Sequence, residues 1–409
     1  MKSCSNNTKR RKLLLIFESH YNYIKNKPII LLYLFIILSV TVNFATNFIY
    51  GPFAPLPAND TGFYIRHAEI FLNQGFTSLS NHGLPVYYWG YPLVLSIFMS
   101  IFGEGYPIAT ILFQIILTAL TTLSIYSIGK NIFSVTSGLI SAGLYVFTWE
   151  IFRWSHFILT DALYISLFII TINLCILFSK TKSTGYLLLL FLLSTIIITI
   201  RSPAVVLILI IAAVLFSYFF NQRKYRNISA GSVVILITAT LLFLLTTSSP
   251  ESRFSLYWWL DFFTTRMAQG IIISGNPAYD IVFQGDLDRA PLFTKFHFYL
   301  SLVLKRLAFF WAIYISPHSL FHKIFNLIWL LPLFGFALLG FINTIKSKIK
   351  PSYILCLILF AYTIFHALTN IDFDQRYRAP LLTIITIYSG FGISCLLIKI
   401  KYFIKSSKS

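Results

Sequence analysis

The chain has 409 residues, of which 57% are hydrophobic and only 11% are charged, and its formal net charge is +19. This composition excludes a soluble protein, because apolar runs near 20 residues recur and each can cross a hydrocarbon core of about 30 Å as a helix. The positive charge does not require a nucleic-acid partner, since basic residues on the inner side of a membrane and contact with anionic lipid account for it.

Apolar segments in chain order predict an all-α polytopic membrane protein with about ten transmembrane helices, within a range of nine to twelve. Backbone groups in lipid must be satisfied within each segment, which favours helices. The predicted spans are 29–48, 107–128, 132–148, 157–178, 185–200, 203–220, 228–247, 325–343, 352–369 and 379–398.

Charge sets the predicted orientation of these spans. With ten spans, 20 of the 32 Lys and Arg residues fall on one side, which the positive-inside rule makes cytoplasmic. Basic tails at 1–28 and 399–409 are therefore both predicted to be cytoplasmic, around a membrane domain at 29–398. In the same topology 12 of the 13 carboxylates lie outside, Glu18 being the exception.

Two long external loops, 49–106 and 248–324, are rich in aromatic residues, carboxylates and turn residues. Long ordered loops are usually functional. The apolar run Tyr91–Phe102 is short and predicts an interfacial helix. The run at 296–315 carries Lys305 and Arg306 at its centre, so an interfacial amphipathic helix is favoured over a span.

Asp60 lies after the extended run GPFAPLPAN and before a predicted helix. One hypothesis makes it the N-cap of that helix, because Asp is a favoured capping residue. The other makes it a general base or metal ligand at the external face. Both hypotheses remain open from the local sequence.

Three further clusters lie at predicted outer ends of spans. Asp161 follows Thr160 at the start of a span, either as a capped acid near the helix dipole or as a second acid of an outer cavity. Arg201 precedes Pro203 in a turn between two spans, where it either snorkels or binds phosphate. The run DFDQRYRAP, 372–380, is either an internally neutralised loop or a phosphate clamp that uses Arg376 and Arg378.

These clusters, in this order, resemble the GT-C superfamily of membrane glycosyltransferases, which includes protein O-mannosyltransferases and aminoarabinose transferases. The resemblance covers roughly 49–400 and depends on the order and shared sidedness of its motifs. The matching positions are Asp60, Tyr64, Ala68, Tyr91, Pro92, Thr160, Asp161, Arg201, Pro203, Arg376, Tyr377 and Pro380.

The resemblance implies transfer of a sugar from a polyprenyl-phosphate donor to a protein, lipid or polysaccharide acceptor. It makes Asp60 and Asp161 the catalytic acids, and Tyr64 and Tyr377 substrate-binding residues. Arg201, Arg376 and Arg378 would bind the donor phosphate. Many relatives have two adjacent acids where this chain has Asn59 and Asp60, so no metal site is predicted and a divalent cation remains an unassigned cofactor.

A transporter or flippase of a lipid-linked saccharide is the alternative function. Transporters usually place ionisable groups near the bilayer midplane, whereas here these groups cluster at the predicted outer rim. The sequence therefore favours an external-face glycosyltransferase, placed in a bacterial inner membrane. The expected partners are the polyprenyl-phosphate sugar, the acceptor and membrane lipid, without nucleic acid.

Overall fold

The computed structural model describes residues 27–50, 55–56, 58, 60–75, 88–220, 289–314, 319–369 and 376–406. Within these stretches the chain forms thirteen α-helices and no strand beyond an isolated bridge between Leu56 and Phe157. The helices are α1 Pro28–Tyr50, α2 Thr61–Gln74, α3 Gly90–Phe102, α4 Tyr106–Ile132, α5 Val135–Phe147, α6 Trp149–Phe152, α7 Thr160–Thr181, α8 Thr184–Ile198, α9 Ala204–Phe220, α10 Leu292–Phe310, α11 Leu320–Lys346, α12 Tyr353–Thr369 and α13 Ala379–Ser406.

This architecture confirms the predicted all-α polytopic fold. Six helical stretches of the described chain are long and apolar enough to cross a membrane, and a bent pair makes a seventh. Helices α8 and α9 are apolar but shorter, since the turn that carries Arg201 and Pro203 separates them. The predicted span 228–247 and most of the second loop lie outside the described residues.

The predicted span 132–148 corresponds to helix α5, and a sharp bend follows its predicted outer end. Helix α5 stops at Phe147, Thr148 adopts an extended conformation, and the following segment Trp149–His156 runs at 64° to α5. The Thr148 hydroxyl donates to the carbonyl of Leu144 at 2.7 Å and accepts from the Trp329 indole at 3.3 Å. This bend directs the short helix α6 into the protein interior, where the carboxylate of its Glu150 is buried.

Small residues allow the long helices to pack closely. Helices gain no hydrophobic driving force from one another in lipid, so close backbone approach and van der Waals contact must hold them. A Cβ built on Gly340 of α11 would lie 2.0 Å from the carbonyl oxygen of Tyr388 in α13, and one on Gly392 would lie 2.1 Å from that of Phe336. Any side chain at these two positions would force α11 and α13 apart.

Helices α2, α3 and α10 pack around one end of this bundle. The backbone N–H of Gly90, at the start of α3, donates to the carbonyl of Thr199 at 2.8 Å. Arg306 in α10 is buried and donates to the carbonyls of Ala367 and Leu368, 3.3 and 3.2 Å away, at the end of α12. A cation there satisfies carbonyls that the helix itself leaves unpaired. Helix α10 is not among the candidate spans of the described chain, in keeping with the predicted interfacial helix, although it begins and ends about five residues earlier than expected.

Candidate active site

Asp60 occupies the N-cap position of α2, but its side chain makes no capping hydrogen bond. Its Oδ2 instead accepts a hydrogen bond from Nη1 of Arg376, 2.8 Å away. The Asp60 side chain is 46% exposed and that of Arg376 is 17% exposed. The capping hypothesis is therefore wrong for the side chain, and the first-loop acid joins the late arginine motif across 316 residues of sequence.

Backbone contacts fix the entry of α2 against the segment before α7. The N–H of Leu56 donates to the carbonyl of His156 at 2.9 Å, and the hydroxyl of Thr61 donates to the carbonyl of Ile158 at 3.3 Å. The rings of Tyr64 and Tyr91 meet edge to face, with centroids 5.3 Å apart. These contacts hold the backbone of Asp60 while its carboxylate remains accessible.

Asp161 and Arg201 form a second ion pair, deeper in the protein. Asp161 is the second residue of α7, and its Oδ1 accepts from Nη1 of Arg201 in the turn between α8 and α9. The side chains are only 1% and 7% exposed. Burial lowers the pKa of Arg201, but the adjacent Asp161 carboxylate, together with Tyr377 and Tyr64, more than offsets this effect, so the pKa is raised.

Expected capping of α7 by Thr160 is not observed. Leu159 occupies the N-cap position, and no side chain caps this helix. The Asp161 carboxylate is therefore held by Arg201 and favoured by the positive amino end of the helix dipole. Its Oδ2 is buried and has no hydrogen-bond partner within the described part of the chain, an unusual state for a buried carboxylate oxygen.

Tyr377 lies between the two ion pairs. The Arg201 guanidinium carbon is 4.6 Å from the centroid of the Tyr377 ring, and that of Arg376 is 5.1 Å away. Nη2 of Arg376 also donates to the Tyr377 hydroxyl at 3.3 Å. Cation–π contact on an aromatic face stabilises guanidinium groups, so one ring holds both arginines of the site. The sequence prediction that Asp60, Asp161, Arg201, Arg376 and Tyr377 share one end of the fold agrees with this arrangement.

Two tyrosines add neutral hydrogen-bonding groups to the site. Burial raises the pKa of Tyr64, an effect that the nearby Arg201 partly offsets. Burial likewise raises the pKa of Tyr88, which has a side-chain hydrogen bond with Ser202, next to Arg201. Both hydroxyls therefore stay protonated at neutral pH, and each can donate a hydrogen bond to an anionic group.

Arg378 does not lie with Arg201 and Arg376. It is fully buried, and its Nε and Nη2 donate to Oε2 of Glu150 in α6, at 3.0 and 2.6 Å. Its Nη1 donates to the carbonyls of Phe310 and Ala312 at the end of α10. The predicted donor-phosphate role is unsuited to this residue, because protein acceptors surround its guanidinium.

Glu150 and Tyr88 are the residues that the sequence interpretation missed. Glu150 was only one of the twelve outer acids, yet it sits between two Trp residues in a run that is otherwise nearly apolar, TWEIFRW. A lone carboxylate in such a run must be paired, and that signal identifies it. Asp372 and Asp374 of the fourth motif lie outside the described residues.

The described residues contain no cluster of three or more His, Cys, Asp or Glu side chains that could hold a metal ion. Asp60 has a guanidinium within hydrogen-bonding distance of one carboxylate oxygen, an arrangement that competes with a divalent cation for the same oxygen. Among the described residues, Asp60 is thus paired with an arginine rather than placed in a cluster of metal ligands.

Comparison with known structures identifies the fold. Seventeen chains match significantly. The archaeal oligosaccharyltransferase AglB from Archaeoglobus fulgidus, in complex with an inhibitory peptide and a dolichol-phosphate, superposes with a TM-score of 0.56 at 15% identity, over 93% of this chain and 51% of that chain. The A. fulgidus enzyme tethered to an acceptor peptide that contains the NVT sequon gives the same values. This chain has the GT-C fold. It spans about half the length of the oligosaccharyltransferase.

Sequence comparison adds to this result. Residues 85–251 of the GT-C domain match the family described as dolichyl-phosphate-mannose-protein mannosyltransferase. That region includes Asp161 and Arg201 but neither Asp60 nor Arg376. The structure of ArnT from Cupriavidus metallidurans bound to undecaprenyl phosphate gives a TM-score of 0.49 at 15% identity, over 88% of this chain and 60% of that chain. No curated protein sequence matches the chain significantly. The GT-C resemblance is confirmed as a likeness of fold by the AglB match, and the family match over 85–251 agrees with it.

Proposed function

We propose that the chain is a glycosyltransferase that moves a sugar from a polyprenyl-phosphate donor to an acceptor at the external face of the membrane. The observation that carries this proposal is the Asp60–Arg376 ion pair, 2.8 Å long and partly exposed, at one end of a GT-C fold. It brings together an acid that can accept a proton and a cation that can hold a phosphate. The matched AglB structure, which contains a dolichol-phosphate and a peptide, supports a lipid-phosphate donor.

The proposed reaction is a single displacement with inversion at the anomeric carbon. The acceptor oxygen or nitrogen forms a bond to that carbon while the bond from the carbon to the phosphate oxygen breaks. Asp60 takes the proton from the acceptor, and polyprenyl phosphate leaves with the electron pair. General-base catalysis of this type contributes about 10²–10⁴-fold, and the exposure of Asp60 leaves room for the acceptor to approach.

Arg201 and Arg376 are the proposed ligands of the leaving phosphate. A guanidinium has five N–H donors in a planar fork, a geometry that matches a phosphate as well as a carboxylate. Both guanidinium groups contact the Tyr377 ring, and positive groups placed where negative charge develops stabilise a transition state. Tyr64 and Tyr377 are the proposed substrate-binding hydroxyls, and Arg378 no longer belongs to this set.

Asp161 is proposed to orient the acceptor, as the second acid. Its Oδ1 is held by Arg201, whereas its buried Oδ2 has no partner among the described residues and can accept a hydrogen bond from a substrate hydroxyl. The external placement follows from the positive-inside rule, with both termini in the cytoplasm and a bacterial inner membrane as the proposed location. The acceptor is proposed to be a protein, a lipid or a polysaccharide.

A transfer assay with Asp60→Asn tests this function. Membranes that contain the full chain are supplied with radiolabelled polyprenyl-phosphate sugar, and label transferred to acceptor is measured. Because the Asp60 side chain makes no capping bond and its ion pair is partly exposed, this substitution should cost no more than about 1 kcal/mol of stability. We expect normal abundance and a loss of transfer of about 10²-fold or more.

Glu104→Gln is the matched control, since Glu104 is an exposed acid in the first loop, at the turn Gly103–Gly105 before α4. It should transfer sugar at the wild-type rate. Near-normal turnover by Asp60→Asn would remove Asp60 from the catalytic role. Movement of labelled sugar lipid across the bilayer, without transfer to any acceptor, would instead identify the chain as a transporter.

A further inference from the structure

Arg376 has two roles that conflict, and this inference rests on the proposed function. In the proposed reaction Arg376 binds the donor phosphate and Asp60 accepts a proton. In the structure Nη1 of Arg376 is hydrogen-bonded to Asp60 Oδ2, at 2.8 Å. A carboxylate oxygen that already accepts a charge-assisted hydrogen bond is less available to a proton. In the structure the proposed base, Asp60, is therefore already hydrogen-bonded to the arginine that would bind the donor phosphate.

The two ion pairs of the site differ in how easily they can break. Asp161 and Arg201 are almost fully buried, and separating such a pair leaves uncompensated charges out of water. Asp60 and Arg376 are 46% and 17% exposed, so water can replace each partner. An exposed pair changes an equilibrium constant by only about fivefold or less. Of these two pairs, only the Asp60–Arg376 pair is suited to exchange its partner.

We propose that the phosphate of the lipid-linked donor takes Arg376 away from Asp60, so that donor binding releases the catalytic base. The Tyr377 ring and hydroxyl stay in contact with the guanidinium and limit how far it moves. Phosphate offers an anionic acceptor that matches the guanidinium fork at least as well as a carboxylate does. Asp60 is then open to the acceptor only when a donor is bound, and the two substrates bind with positive coupling, which is necessarily reciprocal.

Affinity for a phosphate lipid tests this exchange without any transfer reaction. The probe is a short-chain polyprenyl phosphate added to the purified full chain in detergent, and its dissociation constant is measured. In the wild type the phosphate must compete with Asp60 for Arg376. Asp60→Asn removes that competition, so we expect binding about two- to fivefold tighter, the size expected for an exposed ion pair.

Four controls separate release of Arg376 from a general loss of negative charge. Glu104→Gln removes one external carboxylate elsewhere and should leave the affinity unchanged. Arg376→Gln should bind more weakly, and Asp60→Asn combined with Arg376→Gln should bind like Arg376→Gln alone, because the gain requires Arg376. The matching polyprenyl alcohol, which lacks phosphate, should bind the wild type and Asp60→Asn equally.

Each outcome decides the proposal. In one outcome the wild type binds polyprenyl phosphate, and the Asp60→Asn variant elutes as a folded monodisperse species but binds it equally or more weakly. This outcome overturns the proposed exchange of Arg376 and leaves the proposed function intact. If the affinity for polyprenyl phosphate rises as much in the double variant as in Asp60→Asn, the proposed exchange is also overturned, because Arg376 is then not the group released. A wild-type protein with no affinity for polyprenyl phosphate overturns the proposed function and this inference with it.

Discussion

The buried Glu150–Arg378 pair offers the sharpest prediction for stability. Glu150 is 3% exposed and Arg378 is fully buried. Two donors of Arg378 reach Oε2 of Glu150 at 3.0 and 2.6 Å, and the Asn326 amide donates to Oε1 at 2.8 Å. Replacement of Glu150 with Ala leaves a buried guanidinium without its counter-charge, which typically costs about 3–5 kcal/mol.

Two further variants separate the charge from the volume. Glu150→Gln keeps the shape and the bond to Asn326 but loses the charge, so a loss of about 1.5–3 kcal/mol is expected. Glu150→Ala combined with Arg378→Met removes both charges, and it should be more stable than Glu150→Ala alone because no unpaired ion remains buried. The free energy of unfolding is measured by circular dichroism during titration with SDS in mixed micelles.

The same variants report on the position of the site. Arg378 ends the turn Arg376–Arg378 that leads into α13, so a displaced Arg378 also moves Arg376. Transfer activity is therefore expected to fall with Glu150→Ala in the protein that remains folded. A Glu150→Ala protein within about 0.5 kcal/mol of the wild type, the range of ordinary surface substitutions, would refute the reasoning. A double variant less stable than Glu150→Ala would refute it as well.

Two further predictions use glycines at close contacts. Gly340→Ala should destabilise the protein by about 1–3 kcal/mol, the usual range for overpacking, because the added methyl would lie 2.0 Å from a carbonyl oxygen of α13. The control is Gly335→Ala in the same helix, whose methyl would meet nothing within 4 Å. It should leave the free energy of unfolding unchanged in the same titration. Gly90→Ala should lower transfer activity, because its methyl would lie 2.5 Å from side-chain atoms of the turn before Arg201. Gly105→Ala, which meets nothing within 4 Å, is its control, and unchanged transfer by Gly90→Ala would contradict the close packing.

The sequence predicted the fold class and the gathering of the site residues at one end of the fold, because both depend on features that are local in the chain. Apolar runs have the length of the membrane core, and motif order places Asp60, Asp161, Arg201 and Arg376 at the same ends of their helices. The predicted span ended at 148, but the 64° bend that leads into α6 was not predicted. The apolar run continues through it, and only tertiary contacts such as the Trp329 hydrogen bond show that the helix ends there.

Pairing within the site could not be predicted from sequence. Asp60 and Arg376 are 316 residues apart, and no pattern in the nearby sequence indicates which arginine pairs with which acid. The separation of Arg376 from Arg378 has a simpler cause. They lie in a 3₁₀ turn, where three residues complete a turn, so side chains two positions apart point in directions about 120° apart. A sequence prediction that treats both arginines as one phosphate clamp therefore fails as soon as this turn forms.

The asymmetry of acids in the sequence has a physical explanation in these pairs. Among the described residues, Arg201, Arg376 and Arg378 each form an ion pair with a carboxylate from the predicted outer side. A buried arginine without a counter-charge is unfavourable, so a site that recognises a charged lipid at a membrane surface must bring acids with its arginines. Asp60 is the most exposed acid of these three pairs. Its proposed release from Arg376 would free a carboxylate to accept a proton and a guanidinium to bind phosphate. The depth at which each pair lies, rather than the number of charges, thus separates the two pairs that are expected to stay closed from the pair that is suited to open.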